Sequence, residues 1–298
     1  SEERTWRSRL AAGRRALERA VSAGHPIYGV TTGVGYDAAR RIDDTHDFAY
    51  QIIRQHGCGM GEPFAPGEGR AILFTRLVSL AKGYSAIRPD LLQALCDLLN
   101  KDIIPVIPQL GSVGASGDLT PLSYVAACLA GEREVFYRGE VLPTGEALRR
   151  ADLAPHRFAP KESLAIMNGT SVMTALGALT CRRLDRALSL CERAAALAVE
   201  LLYGRSLAFH KAAHDLKGHP GQTTAATAIR TAIAGSGLVD RGKPEGRIIQ
   251  DPYSLRCAPQ VIGASRDALA WTMDVLTREL NSVNDNPLVE PASGKVLF

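Results

Sequence analysis

Residues 114–118, Gly-Ala-Ser-Gly-Asp, could build a reactive group from the backbone itself. Glycine has no side chain, so the amide nitrogen of Gly117 can approach the carbonyl carbon of Ala115 closely. Ring closure between these atoms, followed by loss of two waters, leaves a five-membered ring around Ser116 with an exocyclic methylidene. That group is an electrophile, which no ordinary side chain supplies. Asp118 is placed to help move protons in these steps.

The same letters also fit an ordinary turn. Thr120-Pro121 predicts an N-cap followed by a first-turn proline, opening a helix that runs to about Ala130. Ser-Gly-Asp would then be only the turn that leads into this helix. Taken alone, the three letters Ala-Ser-Gly favour the turn, because that tripeptide is common in proteins.

The elements around this loop predict a mainly α-helical protein. Apolar residues make up 46% of the chain and aromatic residues 6%, and Ala and Leu dominate the apolar share. We divide the chain into a loop-rich part, 1–160, with the catalytic loop, and a long-helix bundle, 161–298. Steps of three and four residues predict one continuous apolar helical stripe in the second part. Its members are Leu184, Leu188, Cys191, Ala195, Ala198 and Leu202.

Strand signals are few. Alternating residues at 134–138, a Gly139-Glu140 turn and Val141-Leu142 predict one small β-hairpin. The apolar run 103–107 contains Pro105, which favours an extended loop over a central strand. Residues 294–298 resemble a strand that is cut short.

Composition excludes several function classes. The 35 basic and 31 acidic residues give a net charge of +4, which does not indicate nucleic-acid binding. No uninterrupted apolar run is long enough to cross a bilayer. The six cysteines contain no CxxC pair, which indicates free thiols in a reducing compartment. We therefore expect a soluble, cytoplasmic protein without a membrane or nucleic-acid partner.

Two familiar kinds of site are not supported. Gly33-Val34-Gly35 lacks the third glycine and the preceding strand of a dinucleotide-binding loop. His210 and His214 are spaced to share a helix face, but no Glu lies between them as in a zinc-protease helix. We predict no metal and no nucleotide.

The residues around the loop, 111–122, closely resemble the signature of the aromatic amino acid ammonia-lyase family, whose members include histidine, phenylalanine and tyrosine ammonia-lyases and related aminomutases. Further motifs of that family recur in order over nearly the whole chain. They are Tyr28-Gly29-Val30-Thr31-Thr32-Gly33, Met167-Asn168-Gly169-Thr170, His219-Pro220-Gly221-Gln222, Gln250-Asp251-Pro252-Tyr253-Ser254-Leu255-Arg256-Cys257 and Asn281-Ser282-Val283-Asn284-Asp285-Asn286-Pro287.

This resemblance implies a prosthetic group and a base. Ala115, Ser116 and Gly117 would form 4-methylidene-imidazol-5-one autocatalytically. Tyr28 would remove the β-proton of the substrate, a task for a positioned phenol. Asn168 would hydrogen-bond to the prosthetic group or to the substrate.

The resemblance also implies how the substrate is held. Arg256 would clamp the substrate carboxylate as a bidentate pair, and Tyr253 and Gln250 would line the same pocket. Gln55 and His56 lie where the family carries its substrate-selecting pair. A polar His56 suggests a ring with a polar group, so tyrosine or a broad aromatic preference is expected, with histidine close behind.

Three functions follow as hypotheses. The first is an ammonia-lyase that releases an arylacrylic acid, and the second is an aromatic amino acid 2,3-aminomutase. The third is an inactive helical oligomerisation fragment with an uncyclised loop. The family implies a homotetramer with shared active sites, and its members extend beyond residue 298, so the chain is expected to lack the family's C-terminal region.

Overall fold

The computed structural model describes residues 2–114, 117–241 and 250–297, and α-helix dominates them, which confirms the mainly α fold. The first helices are α1 (Glu2–Ser22), α2 (Thr45–His56), α3 (Pro66–Ala81), α4 (Pro89–Asn100), α5 (Leu119–Leu129), α6 (Thr144–Arg150) and α7 (Glu162–Met167). The remaining helices are α8 (Ser171–Leu201), α9 (Lys211–Lys217), α10 (Pro220–Ala232), α11 (Tyr253–Arg256) and α12 (Ala258–Leu280).

The chain forms two compact units. The first comprises Ser1–Leu176 with Arg278–Phe298, and the second comprises Gly177–Thr277. These bounds differ from the predicted segments 1–160 and 161–298, because α7 packs on α5, α2 and α3 and so belongs to the first unit. The functional roles assigned to the two segments stay predictions.

Helix α5 lies at the centre of the first unit. All nine of its residues from Pro121 to Leu129 are buried, which suits a helix whose side chains are almost entirely apolar. Helix α4 is instead amphipathic and contributes one buried stripe of leucines to the same core. Because α2 and α7 both pack on α5, the end of α2, the end of α7 and the start of α5 are all fixed by one core.

Among the described residues of the first unit there are also three small antiparallel sheets. The strands are β1 (Met60–Pro63), β2 (Ile104–Pro105), β3 (Pro108–Leu110), β4 (Glu134–Tyr137), β5 (Glu140–Pro143), β6 (Leu288–Val289) and β7 (Val296–Leu297). The predicted hairpin is confirmed as β4 and β5, paired from Glu134–Pro143 to Tyr137–Glu140.

The prediction of a loop at 103–107 was wrong in part. Ile104 and Pro105 pair with Phe136 and Val135 as a two-residue strand at the edge of the hairpin sheet. An edge tolerates proline because one side of the strand needs no amide donor. The strand expected at the chain end is present as β7, which pairs with β6.

The second unit contains most of α8 and α12. Helix α8 contains every member of the predicted apolar stripe except Leu202, and the structure buries only part of the stripe. Leu188 is buried, whereas Leu184 is 43% exposed and Leu202 is 61% exposed. Arg266 of α12 forms ion pairs with Glu192 and Asp185 of α8. The helix pair in this unit is therefore joined by charge as well as by apolar contact.

One described segment passes a length and composition test for a membrane span, which the sequence interpretation missed. Glu162–Leu201 contains a stretch with a mean hydropathy of 1.4. In the structure 61% of that stretch is buried inside the protein. Such burial is typical of a core helix, and the break at residues 168–170 interrupts the segment.

Candidate active site

Tyr28 lies in a tight loop that two apolar neighbours anchor. Ile27 and Val30 are buried, while the ring of Tyr28 is half-buried. Gly29 has a φ of +65°, and a side chain there would overlap Leu164, so glycine is required. The amide of Gly35 donates a hydrogen bond to the Tyr28 hydroxyl oxygen at 2.9 Å. This bond fixes the position of the phenol oxygen.

Gln55 and His56 are the last two residues of α2. Gln55 is exposed and His56 is half-buried. The Nδ1 atom of His56 lies 2.8 Å from the carbonyl oxygen of Ile52. Because a carbonyl only accepts, Nδ1 is the donor, and Nε2 of the neutral ring remains an acceptor.

Asn168 is the residue at which α7 ends. It is buried, with φ −91° and ψ 109°, so the chain leaves the helix in an extended conformation. Its backbone amide donates a hydrogen bond to the carbonyl oxygen of Leu164 at 2.8 Å. The next residue, Gly169, begins the short link to α8.

These residues line one cavity of about 400 Å³ within the first unit. Four of the residues predicted for the site contribute to its wall: Tyr28, Gln55, His56 and Asn168. Apolar side chains supply much of the remainder: Val34, Ile42, Phe48, Ile52, Leu119 and Leu164. The wall also includes Asp37, Arg40 and Gln51, so polar and apolar groups both face the cavity. A concave cavity on which several polar groups converge is the usual candidate for a small-molecule site.

The loop residue Gly117 packs directly on Gly169. Its φ is +103°, and a side chain would come within 2.6 Å of the Gly169 nitrogen. Gly114 also has a positive φ, +67°, so left-handed backbone occurs directly before the predicted ring segment and at its last residue. Ala115 and Ser116 themselves lie outside the described residues. Glycines at 114 and 117 fit the bent loop that ring closure requires.

Asp118 is a structural anchor, and this corrects the interpretation of Thr120. Helix α5 begins at Leu119 with Asp118, not Thr120, at its N-cap position. The Asp118 carboxylate does not cap its own helix. It accepts hydrogen bonds from the amides of Val172 and Met173, each at 3.0 Å, at the start of α8. A carboxylate there also interacts favourably with the helix dipole.

Arg76 is a buried residue near the site that the sequence interpretation missed. It projects from α3, is fully buried and donates to the carbonyl oxygens of Ala165 and Asn168. Burial lowers its pKa to about 10, against the opposing attraction of Asp285 and Asp118, so it stays charged near neutral pH. The available signal was a single cation among apolar residues in the segment 71–81.

Two further charged groups are buried where α7 begins. Lys161 forms a fully buried ion pair with Asp285 at 2.5 Å, and burial lowers the pKa of the lysine. Glu162 accepts hydrogen bonds from Arg88 and from the amide of Ala159. Burial would raise the pKa of Glu162, but these bonds and one from His156 outweigh it and lower that pKa to about 2.

The other predicted binding residues belong to the second unit. Gln250 and Arg256 contribute to the wall of a cavity of about 410 Å³ there. Tyr253 is 73% exposed and is not among the wall residues. The Arg256 guanidinium lies 4.4 Å from the centre of the Tyr253 ring, a cation–π distance.

The two histidines considered for a metal have other contacts. His210 precedes α9, and its Nδ1 accepts a bond from the amide of Ala212 at 3.3 Å. His214 is buried; its Nε2 donates to the carbonyl of Ala208, and its Nδ1 accepts from the Gln222 amide. They do not share a helix face, because His210 caps the helix that contains His214.

Comparison with known proteins identifies the relatives of this chain. The model of the family described as "Aromatic amino acid lyase" matches residues 2–298. The histidine ammonia-lyase of Myxococcus xanthus (strain DK1622) is 43% identical over 284 residues, covering 95% of this chain and 56% of that protein. The histidine ammonia-lyase of Gloeobacter violaceus (strain ATCC 29082 / PCC 7421) is 44% identical over 286 residues, covering 95% and 55%.

The fold of this chain also resembles that of a solved aminomutase structure. The phenylalanine aminomutase of Pantoea agglomerans superposes with a TM-score of 0.91 at 32% identity. That match covers 98% of this chain and 60% of the aminomutase chain. The chain therefore spans little more than half the length of the curated relatives it matches.

Proposed function

Because the chain belongs to the aromatic amino acid lyase family, we propose that its protein is a carbon–nitrogen lyase that eliminates ammonia from an aromatic L-amino acid. The products are an arylacrylic acid and ammonia, and no electrons are transferred. The observation that carries this proposal is the shared cavity of Tyr28, His56 and Asn168, next to the Gly117–Gly169 contact.

Each residue has a defined part in the proposed reaction. Ala115, Ser116 and Gly117 would form the methylideneimidazolone, which would supply an electrophile for the substrate amine. Tyr28 accepts the β-proton as the α-carbon–nitrogen bond breaks and the carbon–carbon double bond forms. Its hydrogen bond from Gly35 becomes stronger when the phenol oxygen carries negative charge. Asn168 presents an amide to the reacting groups from the cavity wall.

Arg256 is proposed to bind the substrate carboxylate as a bidentate pair, with Gln250 and Tyr253 lining the same pocket. Its half-buried guanidinium and the nearby tyrosine ring suit a planar anion. In the proposed homotetramer, in which chains share active sites, these residues need not serve the cavity of their own chain.

The hydrogen bonding of His56 bears on the substrate. With Nδ1 donating to Ile52, Nε2 can accept a bond from a ring that carries an N–H or O–H group. Imidazole and phenol rings carry such a donor, and a phenyl ring does not. The sequence alone places tyrosine ahead of histidine as the expected substrate. The relatives named histidine ammonia-lyase favour the reverse order. We therefore propose L-histidine as substrate, with L-tyrosine the second candidate.

An aminomutase is the second candidate function. The structural match to a phenylalanine aminomutase supports it, because the same fold carries that activity there. An aminomutase would return ammonia to the β-carbon, so a β-amino acid would accumulate. An inactive oligomerisation fragment would give neither product.

Exposed apolar side chains on the long helices support the proposed homotetramer. Several lie on α8 and α12 in the second unit: Leu190, Leu197, Leu201, Val261 and Trp271. Apolar groups of this size are normally covered in an assembly. A cytoplasmic location is proposed because all six cysteines are free thiols.

The proposal is tested by the mass of the proteolytic peptide that spans Ala115 to Gly117. We expect a mass lower by two waters, together with ammonia and urocanate released from L-histidine. Ser116→Ala should abolish the loss of two waters and the release of ammonia and urocanate, while the helical circular dichroism signal remains. An unmodified peptide without ammonia release would refute the proposal, and a β-amino acid product would select the aminomutase.

A further inference from the structure

Arg76 carries a buried charge that carbonyl and amide oxygens surround. Its guanidinium donates to the carbonyl of Ala165 at 3.0 Å, to the carbonyl of Asn168 at 2.7 Å and to Oδ1 of Asn284 at 2.8 Å. Asp285 and Asp118 attract this charge, but neither forms an ion pair with Arg76 in the described part of the chain. Burying a cation without a paired anion is costly, so the retained charge needs an explanation.

The carbonyls that Arg76 binds belong to the end of α7. The last carbonyls of a helix have no partner within the helix, and α7 has only six residues. The planar fork of an arginine can satisfy two such oxygens at once, whereas the single ammonium of a lysine cannot match that geometry.

The link between α7 and α8, residues 168–170, is held from two directions. At its start, Arg76 donates a hydrogen bond to the carbonyl oxygen of Asn168, and Nη1 of Arg76 also donates to Oγ of Ser171 at 3.4 Å. Just after the link, the Asp118 carboxylate accepts hydrogen bonds from the backbone amides of Val172 and Met173. A displacement of Arg76 would therefore release one of the two attachments of this link.

Both proposed reacting parts depend on this link. The side chain of Asn168 lines the cavity, and the amide of Asp118 donates to the carbonyl of Gly169 at 2.8 Å. Gly117, which would supply the nitrogen for ring closure, packs on the same glycine. A small shift of the backbone at 168–169 would move both groups.

We infer that Arg76 is a positioning residue for the elimination and for ring formation, acting through the backbone of Asn168 and Gly169. The inference rests on the proposed function for its catalytic meaning. Arg76 is not among the wall residues of the cavity; it sets where the Asn168 side-chain amide and the Gly117 nitrogen lie. Misplacement of reacting groups by about 1 Å can cost about 100-fold in rate.

The test compares Arg76→Lys with Arg88→Lys in the full-length protein. Arg88 is a suitable control because it binds Glu162 at the other end of α7, away from the cavity wall. For Arg76→Lys we expect kcat to fall about 10- to 100-fold with KM within about threefold. The fraction of dehydrated Ala115–Gly117 peptide should fall as well. Arg88→Lys should leave kcat and the peptide mass unchanged per folded molecule.

Hydrogen exchange gives a readout that needs no activity. In Arg76→Lys the amides of Asp118 and of residues 169–173 should exchange at least tenfold faster, whereas Arg88→Lys should leave them unchanged. Unchanged exchange and unchanged kcat would overturn the inference. A wild-type protein without the dehydrated peptide would refute the proposed function, while the exchange rates would still test the positioning.

A second variant covers the case in which Arg76→Lys does not fold. Asn284→Ala keeps the charge and removes the Oδ1 acceptor of Nη1. We expect a smaller loss of kcat, about three- to tenfold, with faster exchange at the same amides. Normal kcat and normal exchange in this variant would contradict the inference.

Discussion

The backbone of Gly169 lies directly against the guanidinium of Arg76. A Cβ at position 169 would overlap Nη1 of Arg76 and would lie 2.6 Å from Oδ1 of Asn284. Neither neighbour can move easily, because each is held by other hydrogen bonds. The guanidinium of Arg76 can therefore reach the end of α7 only because residue 169 has no side chain.

Gly169→Ala should strongly destabilise the first unit. The new methyl group must displace a buried cation from its acceptors, which we expect to cost about 3 kcal/mol in the free energy of unfolding. Urea unfolding measures this directly. Gly67→Ala in α3 is the control, since no atom lies within 4 Å of a Cβ there, and it should be neutral or stabilising by up to about 1 kcal/mol. Equal effects of the two changes would contradict the packing described.

Glu162→Gln should remove a stabilisation that depends on pH. Hydrogen bonds lower the pKa of Glu162 to about 2 in the folded protein from an ordinary value of 4.5, so the folded state favours the ionised form. The stabilisation is complete above pH 4.5 and is lost as the pH falls toward 2. A shift of this size corresponds to about 3 kcal/mol at neutral pH.

Urea unfolding of wild type and Glu162→Gln at pH 7, 5, 4 and 3 checks this. The difference in free energy should be constant from pH 7 to 5 and should shrink below pH 4.5. Glu134→Gln, which changes an exposed carboxylate in β4, should show no such trend. A difference independent of pH would show that the hydrogen bonds to Glu162 do not favour its charged form.

Tyr28→Phe should lower kcat by about 100- to 10,000-fold, because it removes the proposed proton acceptor and little volume. The mass of the Ala115–Gly117 peptide should keep its loss of two waters. Steady-state ammonia release measures kcat. Tyr137→Phe, which alters a buried ring in β4, should retain wild-type turnover. Wild-type turnover in Tyr28→Phe would remove Tyr28 from the mechanism.

His56→Leu should change which substrate is preferred. Loss of the Nε2 acceptor should lower kcat/KM for L-histidine and L-tyrosine about 10- to 100-fold relative to L-phenylalanine. The ratio of the three kcat/KM values measures this and is independent of the amount of active protein. A constant ratio would mean that His56 does not contact the ring.

Local patterns predicted the elements well and their contacts less well. The hairpin of β4 and β5 was predictable because its turn and alternation lie within ten residues. The N-cap of α5 was assigned to Thr120, because a Thr-Pro pair is a strong local signal. In the structure that helix begins at Leu119. The Asp118 carboxylate instead accepts a hydrogen bond from the amide of Val172 in α8, 54 residues further along the chain.

Long-range contacts explain what the sequence interpretation missed. The oxygens that Arg76 binds belong to Ala165, Asn168 and Asn284, which are 89, 92 and 208 positions further along the chain. A periodic pattern in the sequence cannot predict contacts at such separations. The apolar stripe of α8 was visible in the sequence, but its periodicity could not tell which leucines the chain itself buries. The family motifs named Tyr28, His56 and Asn168 without showing that they line one cavity.

The side chain of Asn284 has a consequence for how this protein can diverge. It accepts hydrogen bonds from Arg76 and Ser79, and its amide reaches Glu279, which also binds Thr170. Residues from three distant segments of the chain are thus joined in one hydrogen-bond network. During evolution a change at residue 76, 169 or 284 would be accepted only with compensating changes at the others. Chimeras that exchange residues 278–298 with a relative should succeed only where that relative carries the same set.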